Sequence, residues 1–263
     1  MNNMKKYIVL LLGVLALSLC AGERFIYVAR HCQAAGRGKD VVRPIKDDAG
    51  ITQLGIQQSK WLGKRLKELK FKGKIYASPY YRTVATACYA AAECGAKVYP
   101  DARVQERVHK DGGNLKQGGA TLKQLKKLFP DEIAADAVMA DTWLYKKEEP
   151  KNTPVHRKRM AKSLDAILAE NPTGDIMIVS HAGAVGSLKA EMMERAGRNF
   201  SGGTWNCALF IYAVDEKGKF RIVGYDISFL PAEAITSNLH KIDPKKNPKL
   251  RKVKSGVDYK YDL

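Results

Sequence analysis

The chain has 263 residues, 45% of them hydrophobic, enough for one sizeable core and well outside the composition of a disordered chain. Its 45 lysines and arginines against 27 acidic residues give a formal net charge of +18, which favours phosphorylated small molecules, acidic polymers or anionic membrane surfaces as partners while also serving solubility. The five cysteines include no pair at zinc-finger spacing, which argues against a metal site built on cysteine.

Lys5 and Lys6 precede an uninterrupted apolar run from Tyr7 to Leu19. That run is short for a bilayer span and reads as the hydrophobic part of a secretory signal. Residues 1–21 are therefore expected to be a signal peptide cleaved near Cys20 or Ala21, with lipidation of Cys20 and an uncleaved anchor as alternatives. Each outcome exports the domain, to the periplasm or the medium. Export permits disulfides among Cys32, Cys88, Cys94 and Cys207, and spacing does not choose between their three pairings.

"RFIYVARH", from Arg24 to His31, has the aromatic and β-branched content of a short buried strand. A polar, Gly-containing loop follows to Gly50, and Thr52 then caps a helix with Leu54, Gln58, Trp61, Leu62, Arg65, Leu66 and Leu69 at helical spacing. "KIYAS" is a strand stopped by Pro79, and the Ala-rich helix after it ends at Gly95. "AKVYP" is a third strand.

The texture changes between Val104 and Pro172: a Gly-rich loop "KDGGNLKQGGA", a basic amphipathic helix "TLKQLKKLF" and a second helix "PVHRKRMAKSLDAILAEN" suggest a helical insertion over about 107–172. "DIMIVS" then leads from a strand into a helix, and "CALFIYAV" and "KFRIVGYDI" form a hairpin over "DEKG". Strands alternating with helices predict a three-layer α/β/α fold, with a mainly parallel sheet and an antiparallel edge hairpin. One domain over 24–230 is expected, followed by a basic tail over 231–263.

In such sheets reactive groups gather at the carboxyl ends of the strands. Arg30 and His31 follow the first strand, Arg82 follows "IYASPYY", His181 follows "IMIVS", and Glu106 lies shortly after "KVYP". Singly, each has a structural explanation: a hydrogen-bonded histidine, a capping arginine, an ion pair between Glu106 and Arg103, Arg107 or Lys110. Jointly they form a set of cations, imidazoles and one carboxylate suited to an anion.

The order and spacing of six segments resemble the histidine phosphatase superfamily, the phosphoglycerate-mutase-like proteins, from about Arg24 to Leu230. The Arg-His-Gly motif reads Arg30-His31-Cys32, and the Leu-Thr-x-x-Gly-x-x-Gln helix start reads "ITQLGIQQ". Ser-Pro-x-x-Arg-x-x-x-Thr-Ala reads "SPYYRTVATA", the acidic residue after the third strand is Glu106, and Ser-His-Gly-Gly reads Ser180-His181-Ala182-Gly183. The late strand begins "NCALFIY" at Asn206. Cys32 and Ala182 stand where the family has glycine.

The resemblance implies that Arg30, Arg82 and a protonated His181 hold the phosphoryl oxygens, and that a neutral His31 attacks phosphorus to form a phosphohistidine. Glu106, with a raised pKa, would protonate the leaving oxygen and then deprotonate the attacking water; Glu93 and Asp101 are its rivals. No metal or cofactor is needed, and no nucleic-acid partner is expected. Arg37 is a further substrate-binding candidate, with Lys110 and Lys116 on a neighbouring loop, and all three also fit solvated surface charge. His109, His156 and His240 match no motif.

In the family's sheet the strand starting at Asn206 lies antiparallel beside the first, so the resemblance also implies that Cys207 can meet Cys32 in a disulfide. The expected function is an exported phosphatase acting on small phosphomonoesters. The alternatives are a cofactor-dependent phosphoglycerate-type mutase and a non-catalytic binder of acidic polymers or membrane surfaces.

Overall fold

The computed structural model of the protein describes residues 22–35, 38–108, 119–145, 147–150, 154–199, 204–237 and 240–241. In chain order, β1 (Arg24–Arg30) is followed by three short strands, β2 (Ala34–Ala35), β3 (Val41–Val42) and β4 (Gly50–Thr52), and then by α1 (Gln53–Glu68). Next come β5 (Lys74–Ala77), α2 (Tyr81–Cys94), β6 (Lys97–Pro100), α3 (Leu122–Leu128) and α4 (Pro154–Glu170). The chain then forms β7 (Ile176–Ser180), α5 (Ala182–Arg195), β8 (Leu209–Val214), β9 (Phe220–Asp226), β10 (Thr236–Ser237) and β11 (His240–Lys241).

The central sheet has the order β6-β5-β7-β1-β8-β9. The four strands from β6 to β1 are parallel, and β8 and β9 add the antiparallel edge. Every residue of β7 is buried, as are all of β1 from Ile26 on, because helices cover both faces; this is why those strands read as continuous apolar runs rather than alternating ones. The fold class expected from the sequence is the one observed.

Local signals act where the sequence places them. The Thr52 hydroxyl accepts from the Gly55 N–H at 2.9 Å and starts α1. Gly95, at φ +76°, ends α2 in the left-handed region that a side chain would resist. Thr121 and Gln124 close a reciprocal capping box on α3. The segment from 32 to 50, expected as loop, instead carries a small antiparallel sheet in the order β2-β4-β3. Its strands are only two or three residues long, too short to show a period.

The parallel strands β1, β5, β6 and β7 all end on one edge, at Arg30, Ala77, Pro100 and Ser180. Since β8 runs the other way, with Leu209 opposite Ala29, its leading residues Asn206 and Cys207 reach that same edge. Five chain segments therefore converge there.

One buried charge sits away from that edge. Lys189 of α5 is 3% exposed, with Nζ 3.5 Å from the centroid of the Phe210 ring and 5.7 Å from that of Tyr225. Burial pushes its pKa down to about 7. Between that value and the ordinary lysine range the unfolded chain holds a proton that the folded chain has released, so stability rises with pH across that window. Lys189→Met should raise the melting temperature at pH 7 or below, by roughly 1–3 kcal/mol of stability after the lost cation–π contact is deducted. The gain should shrink toward pH 10 in thermal melts of variant and wild type side by side.

Candidate active site

The backbone that presents His31 is fixed residue by residue. The His31 N–H donates to the Ser180 carbonyl at the end of β7, 2.8 Å away, and Asn206 Nδ2 donates to the His31 carbonyl at 2.9 Å. The Cys32 N–H donates to Thr86 Oγ1 at 2.9 Å, and the Gln33 N–H donates to Gln58 Oε1 at 2.7 Å. Gly55 is a glycine because a Cβ there would lie 2.3 Å from the Gln33 carbonyl. The threonine, glycine and glutamine of the α1 start, and the threonine of "RTVATA", thus act together to hold the loop that carries the histidine.

The His31 ring is set by the same loop. Nδ1 lies 2.7 Å from the Cys32 carbonyl; a carbonyl only accepts, so Nδ1 carries the proton and Nε2 keeps its lone pair. Burial, followed by the charges of Arg30 and Arg82, pushes the pKa well below the ordinary histidine value. The imidazole is therefore neutral at pH 7, with a free nucleophilic nitrogen.

His181 caps α5 from the end of β7, its ring 5.4 Å from that of His31. The expectation of a protonated His181 needs correction: burial, then Arg82, His31 and Arg30, push its pKa well below the ordinary value. Nε2 sits 2.8 Å from Ser78 Oγ, while Nδ1 is buried with no hydrogen-bond partner. An unsatisfied buried polar atom costs about 1–3 kcal/mol. If the Ser78 hydroxyl donates to Nε2, Nδ1 carries the proton, and a neutral His181 still offers one N–H to an anion without needing a positive charge.

Arg82, near the start of α2, has its Nη1 3.2 Å from Asp48 Oδ1 and lies over the Tyr80 ring, 4.8 Å from its centroid. Asp48 is 2% exposed and also accepts from the N–H groups of Ala49 and Tyr81. Arg30 Nη1 donates to the Thr204 carbonyl at 3.0 Å and to Ser237 Oγ at 3.2 Å. Burial lowers the Arg30 pKa, and Glu106 opposes that shift.

The Glu106 carboxylate spans the start of α5. Oε2 accepts from Gly183 N–H and Oε1 from Ala184 N–H, each at 2.9 Å, and Oε1 also accepts from Arg107 N–H at 2.8 Å. A Cβ on Gly183 would lie 2.4 Å from Oε1, so a side chain there would push the Glu106 carboxylate from its place, whereas the first glycine position of that turn holds Ala182. The positive end of the α5 dipole faces the carboxylate. Ser180 Oγ, donating to the Val104 carbonyl at 2.6 Å, ties the approach to Glu106 to the end of β7. Asp101 is committed to Arg103 at 2.6 Å, and Glu93 lies where α2 crosses Gly63 of α1; neither competes for the role.

The structure thus brings Arg30, His31, Arg82, Glu106 and His181 to one edge. Arg37, Lys110, Lys116 and His109 lie outside the described residues, as do residues 1–21 with Cys20. His156 is buried in α4, its Nδ1 3.1 Å from Ser187 Oγ. The Cys32–Cys207 disulfide is not formed: both are buried free thiols. Cys207 takes φ +56°, which fits its N–H to the Arg30 carbonyl at 3.1 Å, and Cys32 Sγ faces the Gln33 carbonyl at 3.7 Å. Burial raises the Cys32 pKa to about 11, so this thiol is protonated and a poor nucleophile. Cys32 does not have positive φ, which is why its turn accepts a side chain in place of glycine.

Sequence patterns alone did not single out Asp48, Ser78, Tyr80 or Trp143. Tyr80 meets the ring of His181 at 5.3 Å and that of Trp143 at 5.0 Å, both edge-on. Trp143 Nε1 donates to the Ala120 carbonyl at 2.8 Å. The segment from 119 to 145 therefore supplies an aromatic wall beside the histidines. Ser78 stands within the motif "SPYYR"; Asp48, in a polar loop, carries no local signal.

The model of the histidine phosphatase superfamily (branch 1) matches residues 26–227. A probable phosphoglycerate mutase GpmB of Erwinia tasmaniensis is 26% identical over 169 residues, covering 64% of this chain and 74% of that protein. Among solved structures, the ecdysone phosphate phosphatase of Bombix mori, in complex with tungstate, superposes with a TM-score of 0.60 at 17% identity, over 85% of this chain and 99% of that one. Bacillus stearothermophilus YhfR gives 0.51 at 20% identity, over 76% and 95%. With the matched span covering the central sheet from Ile26 to Asp226 and all five edge residues, the chain belongs to the histidine phosphatase superfamily, branch 1.

Proposed function

We propose that this protein is an exported phosphatase that hydrolyses small phosphomonoesters through a phosphohistidine, without a metal. The observation that carries the reading is the Nδ1–H bond from His31 to the Cys32 carbonyl, which leaves Nε2 as a nucleophile among Arg30, Arg82 and His181. Nε2 attacks phosphorus as the bond to the leaving oxygen breaks, and Glu106 protonates that oxygen. Water then attacks phosphorus, its proton passes to Glu106, and the N–P bond breaks to return neutral His31 and inorganic phosphate. Arg30, Arg82 and the His181 N–H carry the charge on the non-bridging oxygens throughout. Export rests on the apolar run from Tyr7 to Leu19 and on the small residues after it.

A phosphomonoester panel assayed for phosphate release in the presence of a chelator tests this reading on residues 22–263. Release from several esters is the expected result. Interconversion of phosphoglycerates with no net release would transfer the assignment to a mutase. Salt-sensitive polyanion binding with no turnover on any ester would leave a binding protein.

A further inference from the structure

A second basic recess lies behind the Glu106 segment, and none of the five edge residues lines it. It is a cavity of about 500 Å³ between one face of α4 and the residues Tyr145, Lys147 and Glu149. Its floor is a built ionic structure. Arg159 reaches Glu149 Oε1 and Oε2 at 2.5 and 2.9 Å, and donates to the carbonyls of Arg103, Gln105 and Glu106 at 2.9, 3.0 and 3.2 Å. Glu149 is thus spent on Arg159 and on the Val108 N–H, and among the described residues it is the only carboxylate that lines the cavity.

Three more cations, Lys147, Lys158 and Lys162, face the same space. Among the described residues none of them has a hydrogen bond or ion pair. Lys158 and Lys162 are one turn apart on α4, so their ammonium groups repel rather than compensate each other. Beside them stand two of the chain's exposed large apolar side chains, Tyr145 and Val155, and the Tyr145 ring already carries the Arg159 guanidinium 5.0 Å from its centroid.

From this juxtaposition we infer a second ligand site that takes an oligophosphate bearing an apolar or planar group. The phosphate chain lies along Lys147, Lys158 and Lys162, and the apolar part rests on Tyr145 and Val155. Several adjacent phosphates match three uncompensated ammonium groups better than one does, and the exposed ring and valine give a planar group a surface to cover. The site is separate from the phosphoryl pocket, and Arg159 links its floor to the backbone of Glu106.

Calorimetric titration with tripolyphosphate and with the β,γ-imido analogue of ATP tests the inference by binding alone, so it does not depend on which ester the enzyme hydrolyses. The double variant Lys158→Glu/Lys162→Glu should weaken both probes by at least about tenfold. The control variant Lys123→Glu/Lys127→Glu on α3, with the same change in net charge, should bind nearly as wild type does. The ATP analogue should bind more tightly than tripolyphosphate, and Tyr145→Ala should remove that advantage. Unchanged affinity in the α4 variant would overturn the site, because the anions would then be held elsewhere. Equal weakening in both double variants would also overturn it, by reducing the effect to net charge.

Discussion

Replacing His31 with alanine is expected to lower kcat by about 10⁴-fold or more, the scale on which loss of an attacking group is felt when the rest of a site still binds substrate. The reason is specific to one nitrogen. Nδ1 is spent on the Cys32 carbonyl, and low basicity keeps Nε2 unprotonated beside two arginines. The neighbouring thiol cannot take over, because burial keeps Cys32 protonated with a pKa of about 11. Cys32→Ala should therefore retain activity while His31→Ala loses it, and thermal melts of both variants will separate chemistry from folding. Comparable losses in the two variants would place the nucleophile, or the damage, at the loop rather than at the imidazole.

Glu106→Gln is the second large effect, and its size should depend on the substrate. For an alkyl phosphate, whose leaving oxygen needs a proton, the loss in kcat/KM, which reports formation of the phosphohistidine and not its hydrolysis, should be about 10²- to 10⁴-fold. For an activated aryl phosphate, whose leaving group departs as the anion, it should be less than about tenfold. Comparing two leaving groups within one variant matters here because both Glu106 oxygens accept backbone N–H bonds. A glutamine must turn its amide nitrogen toward a donor, and this distortion lowers both rates alike. Only the difference between the substrates reports proton donation, and an equal loss on both would contradict the acid role.

The sequence is most legible where one local rule decides. Thr52 and Gly95 mark helix ends because a cap and a left-handed residue act over a single turn. The continuous apolar runs of β1 and β7 mark strands covered on both faces. Arg30, His31, Arg82, Glu106 and His181 were readable because strand ends in a parallel sheet converge, so residues far apart in the chain meet at one edge. The positions that prepare them were harder to see. Asp48 lies in a polar loop with nothing to show that its carboxylate turns inward to Arg82. Ser78 acts on a histidine more than a hundred residues away, and no local pattern encodes that meeting. His181 shows the limit on charge: the resemblance implies a protonated imidazole, but burial beside His31 and two arginines holds its pKa well below the ordinary value. The Cys32–Cys207 pairing did not form: adjacent strands bring the two residues to the same edge, yet both are buried free thiols, with Cys207 at φ +56° and Cys32 Sγ facing the Gln33 carbonyl.

The central claim is that phosphorus becomes bonded to His31 during turnover. The most direct test mixes the protein with an activated aryl phosphate, quenches in alkali, where an N–P bond survives, and locates the added phosphoryl group by peptide mass. The account predicts one phosphoryl group on the peptide spanning His31, accumulating most in Glu106→Gln, where hydrolysis of the intermediate is slowed, and absent from His31→Ala. Turnover at the full rate with no phosphorylated peptide, or a phosphoryl group on any other residue, would contradict it.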